Sequence, residues 1–210
     1  MTVQRKEIID KINKMYENAE CELIFNSNYE LLVAVILSAQ CTDKRVNIVT
    51  RELFKEYNTP QKMISLSQAE LEQKIHACGF FHNKAKHILE CSRELVEKFS
   101  GEVPSNKEEL KSLAGVGEKT ANVVLATAFK IPAIAVDTHV FRVSNRLGIA
   151  NASTVQRVQK QLEKRIPREL WSSSHYAFVL HGRYVCKSQR PNCEACKLAK
   201  MCKFYKTKNK

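Results

Sequence analysis

The chain has 210 residues, of which 44% are hydrophobic, so it can build one large core or two small ones and is not globally disordered. Its formal net charge of +12 favours an anionic partner, either nucleic acid or an acidic membrane surface. The longest apolar run, "LLVAVILSA" from Leu31, is far too short to span a bilayer.

The first segment, "MTVQRKEIIDKINKMYENAE", mixes charged residues with apolar residues at helical spacing. This pattern predicts an amphipathic helix and not a secretory signal, which would place an apolar stretch after a basic one. We therefore expect an intracellular protein, and the membrane surface becomes the weaker of the two partner hypotheses.

The next segments are also helical in pattern. The run from Leu31 to Leu37 is rich in β-branched residues, but no partner strand is evident elsewhere, so it is interpreted as a helix buried on all sides. Two capping boxes predict helix starts, Ser67 with Glu70 and Ser105 with Glu108. The chain shows no internal repeat and no low-complexity linker. These patterns predict an all-α fold.

The stretch "LAGVGEKTANVVL" places Gly115 and Gly117 in a tight turn between two predicted helices. Glycine permits positive φ and close backbone approach at such a turn. The helix that follows begins with free N–H groups and a positive dipole end, which can hold a phosphate without reading a base. An ordinary turn between two helices would fit the same pattern.

Lys119 lies in the first turn of that second helix, where the helix dipole disfavours a positive charge. The position favours the neutral amine, which is the form that a Schiff-base nucleophile needs. A simple phosphate contact or a solvated lysine is the alternative.

An apolar run then leads to Asp137 in "AIAVDTHVFRVSNRLG", at the start of a helix that ends at Gly148. Asp137 is a good N-cap residue, and it is also a candidate carboxylate that acts with Lys119. His139 could contact a nucleic-acid groove or be an ordinary helix residue, and the spacing does not decide.

Eight cysteines divide into two groups. Cys21, Cys41, Cys78 and Cys91 are scattered, and we interpret them as small buried hydrophobic residues. The other four have the spacing C-x6-C-x2-C-x5-C: Cys186, Cys193, Cys196 and Cys202. Four thiolates at this spacing predict a metal site, and both zinc and a four-iron four-sulfur cluster satisfy the chemistry. The segment from Cys186 onward carries a net charge of +7, which suggests a phosphate-binding surface.

Four segments together resemble a known family: "LLVAVILSAQCTD", "LAGVGEKTANVV", "VDTHVFRVSNRLG" and the cysteine tail. In order and spacing they resemble the bacterial endonuclease III family, DNA glycosylases of the helix-hairpin-helix superfamily. The resemblance covers nearly the whole length. It implies an enzyme of base excision repair that removes oxidised pyrimidines such as thymine glycol from duplex DNA and cleaves the abasic strand by β-elimination.

The resemblance also assigns roles to individual residues. It implies that Lys119 forms the Schiff base, that Asp137 is the catalytic aspartate and that Gly115 and Gly117 hold a DNA phosphate. Gln40 would fill the space left by an extruded nucleotide.

Two further DNA-binding residues and the cofactor follow from the same resemblance. His139 would contact DNA, and Phe80 would act as a wedge where some members have leucine. The four clustered cysteines would bind a [4Fe-4S] cluster and not zinc.

The implied architecture is an all-α fold in two lobes. Residues 19–131 would form a six-helix barrel with the helix-hairpin-helix, and residues 1–18 with 132–210 would form a lobe whose loop 186–202 carries the cluster. We expect a monomer in the bacterial cytoplasm, associated with the nucleoid.

Proteins with other functions would need different sequence features. An adenine-mismatch glycosylase would lack the lysine and carry an extra C-terminal domain, and most glycosylases for oxidised guanine lack the cysteine tail. A non-catalytic module with a zinc knuckle would leave Lys119 and Asp137 without a role. A membrane-surface protein would need an exposed amphipathic helix with aromatic anchors, and none is evident.

Overall fold

The computed structural model describes residues 2–208, which contain α-helices, two 3-10 helices and no β-strand. The α-helices are α1 (Val3–Met15), α2 (Asn28–Leu37), α3 (Asp43–Leu53), α4 (Pro60–Met63), α5 (Gln68–Ile75), α6 (Phe81–Phe99), α7 (Lys107–Ser112), α8 (Glu118–Ala128), α9 (Thr138–Leu147), α10 (Val155–Arg165), α11 (Trp171–Tyr184) and α12 (Lys203–Lys208). The 3-10 helices are Arg168–Leu170 and Ala199–Met201. The prediction of an all-α fold is confirmed.

Within residues 2–208, none of the helices combines the length and the apolar composition that crossing a membrane requires.

The chain divides into two compact units. One unit is Cys21–Ile131, and the other combines Met1–Glu20 with Pro132–Lys210. The sequence placed the first boundary after residue 18, two residues before the boundary in the structure. The assignment of a barrel and of a cluster-bearing lobe to these units stays a prediction.

The unit Cys21–Ile131 is built around α2. Every residue of α2 from Tyr29 to Leu37 is buried, which confirms the helix predicted for this apolar run. α2 packs against α3, α6 and α8, so a β-branched helix without a polar face is covered on several sides. Ser27 caps its start by accepting a hydrogen bond from the backbone N–H of Glu30 at 3.1 Å.

The other unit has its core where α1, α9 and α11 meet. Ile8 and Ile12 of α1, Val143 of α9 and Phe178 of α11 are all fully buried there. The apolar face of the amphipathic N-terminal helix therefore supplies core residues, as its spacing predicted.

The two capping boxes have different outcomes. At Ser67 the box is present: Ser67 Oγ accepts from the N–H of Glu70, and the Glu70 carboxylate accepts from the N–H of Ser67. The box at Ser105 is wrong by one residue. Asn106 is the N-cap of α7, and its Oδ1 accepts from the N–H groups of Glu108 at 2.9 Å and Glu109 at 3.1 Å.

The expectation that the four scattered cysteines are buried holds for two of them. Cys78 and Cys91 are buried, whereas Cys21 and Cys41 are partly exposed. Both partly exposed cysteines lie in the connections that precede and follow α2, outside the helices.

Candidate active site

Residues 113–117 form the turn that joins α7 to α8. The N–H of Val116 donates to the carbonyl of Leu113 at 3.1 Å, and Gly115 has a left-handed φ of +76°. Val116 is buried, while Gly115 and Gly117 are exposed. The predicted glycine hairpin is therefore present, and it presents its glycine backbone to the outside of its unit.

Two residues of α6 contact this hairpin. Glu94 of α6 accepts a hydrogen bond from the N–H of Ala114 at 2.8 Å. A Cβ added to Gly115 would lie 2.9 Å from Cβ of His87, closer than real Cβ atoms approach. Glycine is thus required at position 115 both by the backbone conformation and by the side chain of His87. Gly117 differs, since nothing lies within 4 Å of its would-be Cβ.

The first residue of α8 links the hairpin back to α7. Lys111 Nζ lies 3.0 Å from Glu118 Oε2, and Lys107 pairs with the other oxygen of the same carboxylate. Such exposed pairs contribute little stability singly. Two of them on one carboxylate restrict how α7 and α8 can move relative to each other.

Lys119 is exposed on the first turn of α8, whereas residues 121–127 are buried on the helix. α8 packs against α2 through that buried part. The first N–H groups of a helix have no acceptor within it and lie at the positive end of its dipole. An anion and the Lys119 amine can therefore meet at the same end of α8.

Asp137 caps the start of α9. Its Oδ1 accepts a hydrogen bond from the N–H of Val140 at 2.7 Å, which confirms the N-cap predicted from sequence. Residues 133–136 before it are buried, and the side chain of Asp137 itself is only partly covered. A buried segment and a helix cap hold this carboxylate in place.

His139 packs within its own unit. Its Nδ1 lies 3.1 Å from Nη2 of Arg142, and a Cβ added to Gly182 would come within 2.8 Å of Cβ of His139. Burial lowers the pKa of His139, and the charge of Asp137 opposes that change. The ring is half-buried against α11, and the DNA contact of His139 stays a prediction.

Gln40 and Phe80 share an unusual backbone conformation. Both are non-glycine residues with a left-handed φ, 52° at Gln40 and 58° at Phe80. Both side chains are exposed, and the Phe80 residue is 64% accessible. The two turns are neighbours, since a Cβ on Gly79 would lie 3.9 Å from the carbonyl oxygen of Gln40. Strained, exposed residues are typical of sites that contact ligands.

A buried lysine supports the turn at Gln40. Lys84 Nζ donates to the carbonyl oxygen of Leu37, the last residue of α2, at 2.8 Å. A cation at a helix C-terminus is favoured by the helix dipole and satisfies a free carbonyl. Burial lowers the pKa of Lys84.

The four clustered cysteines line one pocket: Cys186, Cys193, Cys196 and Cys202. All eight cysteines of the chain lie within the described residues and are free thiols. Among residues 2–208, no three His, Cys, Asp or Glu side chains converge as the ligands of one metal ion would. Four thiols therefore surround one pocket, as the spacing of the cysteines predicted.

Two arginines of α9 hold the first part of the cysteine loop. Arg142 donates to the carbonyl of Cys186 at 2.9 Å. Arg146 donates to the carbonyls of Lys187 at 2.7 Å and Ser188 at 2.9 Å, and its Nη1 lies 3.5 Å from Sγ of Cys186. The guanidinium groups thus place positive charge beside a sulfur that would be anionic as a metal ligand.

His181 of α11 contacts a further cysteine of the loop. Its Nε2 lies 3.6 Å from Sγ of Cys196, and its Nδ1 lies 3.1 Å from the hydroxyl of Tyr16. Burial lowers the pKa of His181. Burial also raises the pKa of Tyr16.

Each unit thus gathers part of the predicted site. Cys21–Ile131 holds Gln40, Phe80, Gly115, Gly117 and Lys119, whereas the other unit holds Asp137, His139 and the four clustered cysteines. Sequence reasoning did not find the supporting residues Glu94, Arg142, Arg146 and His181. The spacing of Arg142 and Arg146, one helical turn apart after Asp137, is the one available signal.

The comparisons with known proteins agree with this geometry. Residues 33–168 match the family model "HhH-GPD superfamily base excision DNA repair protein". Endonuclease III of Bacillus subtilis (strain 168) is 48% identical over 196 residues, which cover 93% of this chain and 90% of that protein. Endonuclease III of Haemophilus influenzae is 47% identical over 201 residues, which cover 96% of this chain and 95% of that protein.

Solved structures give the same result. The "Structure of a Trapped Endonuclease III-DNA Covalent Intermediate: Estranged-Adenine Complex" has a TM-score of 0.94 and 46% sequence identity, and the match covers 100% of both chains. The fold and its hairpin therefore define a helix-hairpin-helix base excision repair protein. Within that class, the chain belongs to the endonuclease III family.

The two hairpin glycines should respond differently to alanine. Gly115→Ala should lower the free energy of unfolding by about 1–3 kcal/mol, because alanine would have to adopt a left-handed φ against His87. Gly117→Ala should change it by less than about 0.5 kcal/mol, because its φ of −90° suits alanine and its surroundings are open. Urea unfolding followed by circular dichroism measures both. Equal losses of unfolding free energy in the two variants would contradict the role given to His87.

Proposed function

We propose that this chain excises oxidised pyrimidines such as thymine glycol from duplex DNA through a lysine Schiff base and nicks the abasic strand. The chain is a DNA glycosylase with AP lyase activity in base excision repair, and duplex DNA is its partner. One observation carries this function. Lys119 stands on the first turn after the glycine hairpin, in a chain that matches an endonuclease III trapped as a covalent intermediate with DNA along its whole length.

Extrusion of the damaged nucleotide comes first. A stacked base cannot be reached, and unstacking costs a few kcal/mol. Gln40 would enter the space that the nucleotide leaves, and Phe80 would push between neighbouring bases. Their exposure and left-handed backbone support this assignment, because both side chains already project from adjacent turns of one unit.

The hairpin would bind the DNA backbone. Gly115 and Gly117 expose main chain at the start of α8, where N–H groups and the helix dipole favour a phosphate. This contact carries no sequence information. It would fix the position of the strand relative to Lys119, two residues farther along the chain.

Lys119 would perform the covalent chemistry. The neutral Nζ attacks C1′ of the extruded nucleotide, and the bond from C1′ to the damaged base breaks, with the electron pair leaving on the base. Opening of the sugar ring gives a protonated imine between C1′ and Nζ. The imine acidifies the proton on C2′, and its removal expels the 3′ phosphate by β-elimination. Hydrolysis of the imine releases the enzyme.

Asp137 would assist the attack. Its carboxylate either accepts a proton from the Lys119 ammonium or stabilises the positive charge that develops on the sugar. The N-cap bond to Val140 supports this role, because it orients one oxygen into the helix and leaves the other oxygen for the reaction.

The four clustered cysteines would hold a [4Fe-4S] cluster. The donor set fits, since four free thiols line one pocket and Arg146 lies beside one of them. When bound, the cluster would supply a structural cross-link for loop 186–202. The chemistry assigned to Lys119 and Asp137 has no step on the cluster.

The remaining assignments complete the proposal. Cys21–Ile131 would be the barrel lobe, and the second unit the cluster-bearing lobe. The net charge of +12 supports association with DNA and disfavours self-association, in line with a monomer. We place this monomer at the nucleoid of a bacterial cytoplasm, where its DNA substrate lies.

Borohydride trapping on duplex DNA containing thymine glycol tests the nucleophile. The wild-type protein should form a covalent adduct, because reduction of the imine fixes it to the DNA. Lys119→Ala should form none, and Lys55→Ala, which removes an exposed lysine beyond α3, should behave as wild type. An adduct that persists in Lys119→Ala would identify another amine. A wild type that binds DNA tightly without an adduct would favour a binding module or a lysine-independent glycosylase.

Two substitutions at Asp137 separate chemistry from helix capping. Asp137→Asn should keep the N-cap and the melting temperature but slow excision by about 10²–10⁴-fold, because the amide cannot accept the proton or stabilise positive charge. Asp137→Ala should be equally slow and also lose about 0.5–2 kcal/mol of stability with the cap. Single-turnover kinetics measures the rate of excision, and thermal unfolding measures the stability. Undiminished excision by Asp137→Asn would remove the carboxylate from the mechanism.

Metal analysis tests the cofactor. The purified protein should be yellow-brown and contain iron with acid-labile sulfide, and Cys193→Ser should lose both because one ligand is missing. Cys21→Ser, in the other unit and outside the cysteine loop, is the matched control and should keep them. A colourless protein that contains zinc would contradict the proposed cluster.

A further inference from the structure

His181 touches the cysteine loop at two places. It lies on α11, and its backbone carbonyl accepts hydrogen bonds from the N–H groups of Val185 at 3.0 Å and Cys186 at 2.7 Å. Its side chain reaches Cys196, with Nε2 at 3.6 Å from Sγ. One residue therefore supports two of the four cysteines, one through its main chain and the other through its ring.

Tyr16, the residue that follows α1, contacts the other nitrogen of the His181 ring. Its hydroxyl lies 3.1 Å from Nδ1 of His181, and the two rings meet edge to face at a centroid distance of 5.8 Å. Tyr16 is itself fixed at the end of α1, where its N–H donates to the carbonyls of Ile12 and Asn13. Both nitrogen atoms of the His181 ring thus have a partner.

Ligation would determine the direction of these hydrogen bonds. A cysteine that binds a metal is a thiolate, and its sulfur can only accept. Nε2 of His181 must then carry the hydrogen, and in this tautomer Nδ1 is an acceptor. The hydroxyl of Tyr16 can donate to that acceptor. The hydrogen bonds would run in one direction, from Tyr16 through His181 to Cys196.

We propose that Tyr16 and His181 act as positioning residues that donate a hydrogen bond to Sγ of Cys196 and thereby raise the reduction potential of the bound cluster. The inference rests on the [4Fe-4S] cluster of the proposed function. Hydrogen bonds to cluster sulfurs are among the factors that set such potentials. A donor stabilises the more electron-rich state, and so it favours the addition of an electron.

The surroundings make this donor hard to replace. His181 is 1% exposed, so its ring is shielded from solvent. A hydrogen bond in a buried site is stronger than in water, and Tyr16 polarises the ring further. Arg146 is near a different sulfur, that of Cys186, so its influence is separate from that of the Tyr16–His181 pair.

Redox titration of the loaded protein, followed by electron paramagnetic resonance, tests the inference. Tyr16→Phe removes one hydroxyl and should shift the midpoint potential in the negative direction. His181→Leu should shift it farther, and His181→Gln should restore part of the shift because its amide can still donate. Tyr57→Phe, which removes a hydroxyl from the other unit, should match the wild type.

A spectroscopic measurement separates this role from a structural one. In the reduced wild type, an exchangeable proton should couple to the cluster and disappear from the spectrum in deuterium oxide. Tyr16→Phe should keep this coupling, and His181→Leu should lose it.

Iron content and midpoint potential together distinguish failure of the inference from failure of the proposed cofactor. If Tyr16→Phe and His181→Gln contain as much iron as the wild type and all potentials agree, the inference is overturned and the proposed cofactor stands. If His181→Leu loses the cluster while Tyr16→Phe keeps the wild-type potential, the inference is also overturned. A wild type without iron would overturn the proposed cofactor together with the inference.

Discussion

The position of α8 depends on the close packing of the hairpin against α6. His87 leaves no room for a side chain at residue 115, and Glu94 holds the N–H of Ala114. These two contacts fix where the turn ends and therefore where α8 begins. Because Lys119 lies in the first turn of α8, the position of its backbone follows from contacts made by another helix. A rigid support is what Lys119 would need, as the proposed nucleophile, to meet a substrate at a fixed distance.

Local chemistry explains why much of the fold and site could be predicted. Asp137 was recognised as an N-cap because capping joins residues three apart in the chain. The hairpin was recognised from two glycines and the apolar spacing after them. α2 could be identified as a buried helix because no other segment offered a partner strand. For the cap and the hairpin, the interacting residues lie within a few positions of one another.

The supporting contacts could not be predicted, because they join distant positions. Glu94 and Ala114 are 20 residues apart, Arg142 and Cys186 are 44 apart, and Tyr16 and His181 are 165 apart. A single sequence carries no signal for such pairs. The wrong capping box has a different cause. Ser105 and Asn106 are adjacent and both suit a helix start, so only the backbone conformation decides between them.

Phe80 has a consequence for the thermodynamics of association. The free protein keeps an aromatic residue 64% accessible to water and holds its backbone at a positive φ. Stacking that ring between bases would remove apolar surface from water, and burial of apolar surface carries a negative heat-capacity change. Binding at a damaged site would then have two separable parts, a salt-dependent part from phosphate contacts and a temperature-dependent part from the ring. The enthalpy of association would become more favourable on warming, although the charges on the protein stay the same.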